Sequence, residues 1–522
     1  MIPDATVLPW ATPLLYLAGA LAALAIADDA RRWRLAGRIA AAAPLAALAA
    51  ALFEVSQGTG VDTIGLVMVL LVGLIGWVIV RYLARYLAGE PGQRRYVAAT
   101  LLTLAAVCTV ALSQHLGLLV AAWIASSLAL HPLLTFFRER PQALVVAHKK
   151  FIASRLAELC LLGALVLIHA ALGTLSLPAI ADVLGGSAGA AGLPPGLQAA
   201  ALLVVLAVIL KSGPLPGHGW LIQGMGAPTP VSALLHAGIV NLGGFVLIRL
   251  AALISAVPAA QVLLVAVGSL TAVLAGLIMM TRISIKVRLA WSTCAQMGFM
   301  LMECGLGLYD LALLHLVAHS MYKAHAFLGA GGRVAEYRQG LLAGPAAGSR
   351  SAVRRVLAGL AAAVLALGVV AGLAAAWSAG FPATQLPWIV TLILGLGLAP
   401  LLGATLRDLP LGLLRVTAVV FVYLVWHAAA GSLTGLPVAT PPAALALWSA
   451  ACFVTLYGVQ TVLRSAPKSW LARTLHAPIH AGLHLDERFQ RLTLRIWPAP
   501  RVTPRSRPSQ DPPINEPSGE TP

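Results

Sequence analysis

Apolar runs long enough to cross a bilayer follow one another through most of this chain, and few folds can accommodate that pattern. A crossing helix needs about 20 apolar residues. Roughly fifteen such runs are centred near residues 20, 46, 73, 104, 127, 161, 208, 240, 270, 297, 320, 365, 395, 421 and 452. In hydrocarbon every backbone amide must be satisfied within its own segment, so runs of this kind fold as helices. With 59% hydrophobic and 10% charged residues, the composition excludes an ordinary soluble domain. The expected class is an all-α polytopic membrane protein with about 13–15 transmembrane helices.

Charge placement predicts an orientation. Lys and Arg cluster after the first, third and fifth runs, and again at Arg282–Arg288, Arg333–Arg355, Arg407 and from Arg464 onward. The alternate loops near 54–62, 173–197, 303–310, 377–388 and 431–445 contain none. By the positive-inside rule the N-terminus faces out and the C-terminus is cytoplasmic. Arg249, near the outer end of its run, is the exception. The net charge of +17 therefore reports topology, and basic residues scattered over short loops speak against nucleic-acid binding. No signal-peptide pattern precedes the first run. The five cysteines are isolated in apolar runs without metal spacing, so they read as buried thiols, and no metal or cofactor is expected in this chain.

The membrane domain is expected over residues 1–464. Residues 465–497 mix apolar and basic positions at helical spacing, as in an amphipathic helix on the cytoplasmic membrane surface or on a partner. The Pro/Arg/Ser-rich end, 498–522, reads as a disordered tail, and the Gly/Ala/Arg-rich 331–351 loop as a linker. No nucleotide-binding glycine motif, nucleophile elbow or large soluble domain occurs, which argues against redox, phosphoryl-transfer or hydrolytic chemistry by this chain alone.

Ionisable residues inside the apolar runs are the candidate functional groups, because burying charge in a membrane is expensive. Lys211 ends an apolar run and is followed by Ser-Gly-Pro-Leu-Pro-Gly-His218, a cluster that breaks the helix and frees carbonyls for a cation or water. The plainer reading is a lysine snorkelling to the interface. The apolar Trp220-Leu-Ile that follows favours a discontinuous helix that continues across. His236 lies mid-run after Pro228-Thr-Pro230, either hydrogen-bonded structure or part of a path. His315, His319 and Lys323 are spaced i, i+4, i+8 on one helix face, and a row of imidazoles suits proton transfer. Zinc is the competing reading of that spacing, but no Cys or Glu ligand accompanies it. Arg155 and Glu158, at i and i+3, can neutralise each other, or Glu158 can pair with Lys211. Lys286 and Glu303 flank the tenth run and rank lower; Lys286, Arg155 and His218 are possible supporting residues.

The segments Lys211-Ser…Trp220-Leu…Pro228-Thr-Pro-Val-Ser-Ala-Leu-Leu-His236-Ala, Ile285-Lys286…Leu289-Ala-Trp-Ser-Thr…Gln296-Met-Gly and His315-Leu-Val-Ala-His319…Lys323-Ala resemble the antiporter-like subunits of respiratory complex I and of Mrp-type antiporters. With His148-Lys-Lys-Phe-Ile…Arg155-Leu and His218-Gly-Trp-Leu-Ile-Gln, they are most similar to the DabB family, membrane subunits of bacterial inorganic-carbon accumulation complexes.

The resemblance implies two inverted five-helix repeats with broken helices, at about 96–256 and 261–403. It also implies the central lysine role for Lys211 and a polar axis of His236, His315, His319 and Lys323. Its further implications are a bacterial inner-membrane location among lipid, protons or sodium as coupling ion, and a DabA-like partner holding zinc that hydrates carbon dioxide. Two positions depart from the complex I pattern. The Trp-Glu of the fifth run reads Trp123-Ile124, and no lysine lies between Lys323 and Lys468, where Arg407-Asp408 is the nearest charged pair. A redox-complex subunit and an Mrp-type antiporter subunit stay open as alternatives.

Overall fold

The computed structural model describes residues 8–57, 62–137, 140–186, 192–333, 351–402, 408–434 and 440–498. Arg138 and Arg407, most of the 331–351 linker and the tail from residue 499 lie outside the described residues. Among the described residues all regular structure is helical. In chain order the helices are α1 (Ala11–Ala25), α2 (Asp29–Gln57), α3 (Thr63–Tyr86), α4 (Gln93–Leu112), α5 (Leu116–Leu134), α6 (Pro141–Leu172) and α7 (Leu177–Gly186). The broken region follows as α8 (Pro195–Ser212), α9 (Gly219–Gln223), α10 (Thr229–Ala237), α11 (Leu242–Arg249) and α12 (Ala251–Ser255). Then come α13 (Pro258–Ile278), α14 (Ile285–Gly305), α15 (Tyr309–Leu328), α16 (Ala352–Gly380), α17 (Trp388–Leu398), α18 (Leu409–Thr434), α19 (Ala443–Ser465), α20 (Trp470–His480) and α21 (Glu487–Ile496).

A helix stands at fourteen of the fifteen predicted centres, and the one near 240 falls on the turn between α10 and α11. Among the described residues twelve spans are long and apolar enough to cross a membrane, Thr229–Arg249 counting as one although it contains α10, a tight turn and α11. The other three centres fall on α14 and α15, which carry the buried polar residues, and on the shorter apolar stretch Trp388–Leu402. The protein is a multi-pass membrane protein.

Local chemistry sets many of the boundaries. Pro opens α6, α8 and α13 and stands in the first turn of α10, where its missing amide proton costs nothing. At the other end of α8, Gly213 adopts φ +69°, a conformation that stops the helix directly after Lys211-Ser212. The freed groups are satisfied from neighbours: the Leu215 amide donates to Thr271 Oγ1 at 3.1 Å, and the Gly213 carbonyl accepts from Cys294 Sγ at 3.4 Å.

Two cores result. A large one joins residues of α1 through α15, and a smaller one joins α16, α17 and α18 through Ala366, Val370, Leu396 and Val420. A third cluster, with Met302 and Leu311 against Ile393 and Tyr423, links them. Outward faces of α6 and α16 expose Leu159, Val166, Val353 and Val364, as helices solvated by lipid require. Glycines let α13 and α14 approach backbone to backbone: a Cβ on Gly268 would lie 2.6 Å from the Gly298 carbonyl oxygen, and the converse holds at 2.6 Å. Arg249, the charge exception, is held inside the fold, donating to Asp62 Oδ1 at 2.6 Å and to the Ser113 carbonyl at 2.7 Å.

Residues 465–497 form two helices, α20 and α21. Gly482, Leu483 and His484 turn the chain between them at φ 69°, 57° and 55°. This pair folds back on the membrane domain, with Ile479, Leu483, Leu485 and Phe489 packed against the large core.

Candidate functional site

Lys211 sits on the last turn of α8, where the break positions its ammonium between α5 and α6. Its Nζ lies 3.1 Å from Glu158 Oε1, donates to the Trp123 carbonyl at 3.4 Å, and stands 4.6 Å from the Trp123 ring centroid. Both side chains of the pair are 6% exposed, so the charges are compensated at short range rather than by water. Glu158 also accepts from Arg155, one turn earlier on α6, at 2.8 Å. Glu158 thus does both things its position in the sequence allowed, and it supplies from α6 the carboxylate that Ile124 cannot supply from α5.

A further cation belongs here. Lys150, which the sequence presents as one of several loop-end basic residues, is buried. Its Nζ donates to the carbonyl and hydroxyl of Ser127, each at 3.0 Å. Arg155 donates to the same hydroxyl at 3.3 Å. One carboxylate and one hydroxyl therefore organise three cations across α5, α6 and α8. The signal in the sequence was Lys150 standing two turns before Glu158 on the same helix face.

The second polar group lies along α15. Lys323 is fully buried and bonds to α14, donating to Ser292 Oγ at 2.6 Å and to the Leu289 carbonyl at 3.0 Å. No carboxylate is among those partners. Two turns earlier, His315 Nδ1 meets Glu303 Oε2 at 2.7 Å. His319 lies between them, its ring 5.9 Å from that of His315. His236, on α10, is fully buried and stacks on Phe327 of α15 at 4.6 Å. Neither ring nitrogen of His236 or of His319 finds a hydrogen-bond partner within the described protein. Asn241 ties α15 to the bend after α10, donating to Ser320 Oγ at 2.7 Å.

Asp310, at the start of α15, and His427, on α18, form a buried pair at 3.3 Å that joins this row to the smaller core. A partner more than a hundred residues away left no local signal in the sequence. Lys286 and His218 are placed outside these two groups. Lys286 donates to Thr229 Oγ1 at 2.6 Å and anchors the start of α10, while His218 Nδ1 donates to the Pro216 carbonyl at 3.1 Å on the broken stretch. Among the described residues no three His, Cys, Asp or Glu side chains converge as a metal site.

Residues 113–402 match the family described as NADH:quinone oxidoreductase/Mrp antiporter, TM, and residues 48–97 match the N-terminus of complex I chain 5. The chain is 42% identical over 457 residues to the probable inorganic carbon transporter subunit DabB of Hydrogenovibrio crunogenus, covering 87% of this chain and 86% of the relative. It is 37% identical over 453 residues to the corresponding subunit DabB2 of Halothiobacillus neapolitanus, covering 84% and 80%. In fold it resembles a chain of the archaeal membrane-bound sulfane sulfur reductase, with TM-score 0.56 at 16% identity, covering 94% of this chain and 99% of that one.

Proposed function

We propose a function from one premise: the chain belongs to the DabB subunits within the NADH:quinone oxidoreductase/Mrp antiporter family. A cation-translocating membrane subunit of a larger complex is the reading that membership supports. On it we build the finer proposal that this chain conducts protons or sodium within an energy-coupled inorganic-carbon uptake complex. The membrane is the bacterial cytoplasmic membrane, with the N-terminus outside and the C-terminus inside, as the charged loops indicate. The partner is a DabA-like subunit whose zinc site hydrates carbon dioxide, a reaction that turns CO2 and water into bicarbonate and a proton. Cation flow down its gradient through this chain makes that hydration effectively one-way.

The observation that carries the proposal is the Glu158–Lys211 pair at the break in α8. A buried ion pair at membrane depth is costly to keep and gains little stability over an apolar pair. A helix break beside it adds further cost. Such a site is retained where charge must move. Lys211 shifts between Glu158 and the Trp123 carbonyl as a cation passes, and Arg155 holds Glu158 in place. The α15 row continues the path: His236 and His319 have ring nitrogens free to take and give protons, and Glu303 orients His315.

The alternative, a subunit of complex I or of a membrane-bound hydrogenase, or of an Mrp-type antiporter, shares the family and the fold. Ile124 in place of glutamate and the lysine-free stretch from 324 to 467 favour the carbon-uptake reading. The test is to express the chain with a DabA-like zinc protein in a bacterium lacking carbonic anhydrase. Growth in air is expected and should be lost in Lys211→Ala at equal expression. Growth that survives Lys211→Ala unchanged would overturn the ion-path mechanism, and no growth with both proteins well expressed would overturn the uptake function.

A further inference from the structure

The C-terminal segment does more than cover the broken helix. At the turn into α21, Asp486 reaches back into the membrane domain. Its Oδ2 accepts from Lys149 Nζ at 2.6 Å and from Gln223 Nε2 at 2.8 Å, and Gln223 Oε1 accepts from the same ammonium at 2.8 Å. Lys149 is fully buried, so this is the one carboxylate bonded to that charge among the described residues. The approach demands glycine opposite: a Cβ on Gly219 would overlap the Asp486 carboxyl. Farther along, the Trp497 ring lies flat on His148 at 3.8 Å and 7°, which pins the end of the segment to α6.

Asp486 faces a cavity of about 250 Å³ that opens to the outside of the protein between the C-terminal segment and the broken helix. Its other oxygen, Oδ1, is buried without a hydrogen-bond partner. The titratable and charged groups around that cavity are Asp486, Glu487 and His484 of the segment, His218 beside α9, Arg282 ahead of α14, and Lys149 behind the carboxylate. Glu487 is held below the ordinary carboxylate range by hydrogen bonds from His484 and Arg491, so it stays an exposed anion at the rim. His218 donates through Nδ1 to the Pro216 carbonyl, which leaves Nε2 as an acceptor on the stretch that runs back to Lys211.

We propose that the C-terminal segment carries a cation-loading site: Asp486, presented to the cavity with Lys149 behind it, takes up the coupling cation and delivers it toward His218 and the broken helix. The inference rests on the ion-conducting reading given above. For a proton, a hydronium ion at the cavity gives its proton to the carboxylate of Asp486 and remains as water, and the charge bond to Lys149 weakens. The hydrogen then passes to His218 Nε2, which restores the carboxylate and the pair. For sodium, the carboxylate oxygens replace part of the ion's hydration shell and no covalent bond changes. Lys149 sets how tightly the site holds its ion, since a full countercharge prevents a permanent one from settling there.

The experiment uses the full chain together with its partner subunit in proteoliposomes, with a pH-sensitive dye and, separately, a sodium tracer reporting flux under an imposed gradient. Asp486→Asn keeps the shape and removes the acidic oxygen. It should slow flux of the coupling cation by at least about tenfold, while Asp486→Glu keeps flux within about threefold. Trp497→Ala loosens the segment but leaves the carboxylate, and should fall between wild type and Asp486→Asn. Lys211→Ala runs alongside. If Lys211→Ala abolishes flux while Asp486→Asn conducts within about twofold of wild type, the loading site is overturned and the conduction reading stands. Equal losses in Asp486→Asn and Trp497→Ala would also overturn it, since the segment would then act as a strap alone. Absence of flux in the wild-type complex would overturn both readings. The dye and tracer arms decide between proton and sodium.

Discussion

Lys211 and Lys323 are two buried ammonium groups on helices of the same bundle, and they are neutralised in different ways. Lys211 faces a carboxylate at 3.1 Å, with Arg155 sharing it and Lys150 close by. Lys323 faces a hydroxyl and a carbonyl, whose dipoles favour its hydrogens without cancelling its charge. The first is an electrostatic knot in which moving any member disturbs the others. The second is an ammonium held by dipoles alone. In a path that must pass a cation in steps, a strongly compensated centre stores the charge, and a weakly compensated one releases it.

The sharpest way to break this contrast is Glu158→Gln, which leaves Lys211, Arg155 and Lys150 without a carboxylate. Loss of about 3–5 kcal/mol of stability is expected, measured by denaturant unfolding in detergent, together with loss of flux; a stable, conducting variant would show that the knot is ornamental. Gly298→Ala acts on both centres by prising α14 from α13. A cost of about 1–3 kcal/mol should come with slower flux, because α14 carries Ser292 and Leu289. Lys323→Met should leave stability within about 1 kcal/mol yet abolish flux, the reverse balance from a structural residue. A parallel fall in both would put Lys323 in the same class as Lys211. The smallest effect is expected from Asp310→Asn, which keeps a polar group of the same shape beside His427 and should cost less than about 1 kcal/mol with flux nearly intact.

The sequence spelled out the helices because each must satisfy its own backbone in lipid, so the apolar runs and the prolines that open them mark positions directly. Lys211, Glu158 and the His315–Lys323 row were legible for the same reason, since charge in an apolar run stands out. What stayed hidden depends on contacts between distant parts of the chain. Lys149 and Lys150 read as topology signals, although their burial comes from Ser127 on one side and Asp486 on the other. Asp486 itself lies in a polar stretch where an acidic residue is unremarked. Its partner is 337 positions away, and no periodicity spans that distance. Glu303 ends an apolar run, and its contact with His315 depends on how the chain turns back into α15.

Ser127 deserves a last look for its valence. A hydroxyl has two lone pairs and one hydrogen, and here Lys150 and Arg155 both donate into the oxygen. Both acceptor directions are therefore occupied, which leaves the hydrogen a single direction in which to point. A rotor held on two sides no longer turns, so this hydroxyl is a rivet: it fixes two cationic side chains of α6 to one point of α5 and sets where the carboxylate of Glu158 meets them.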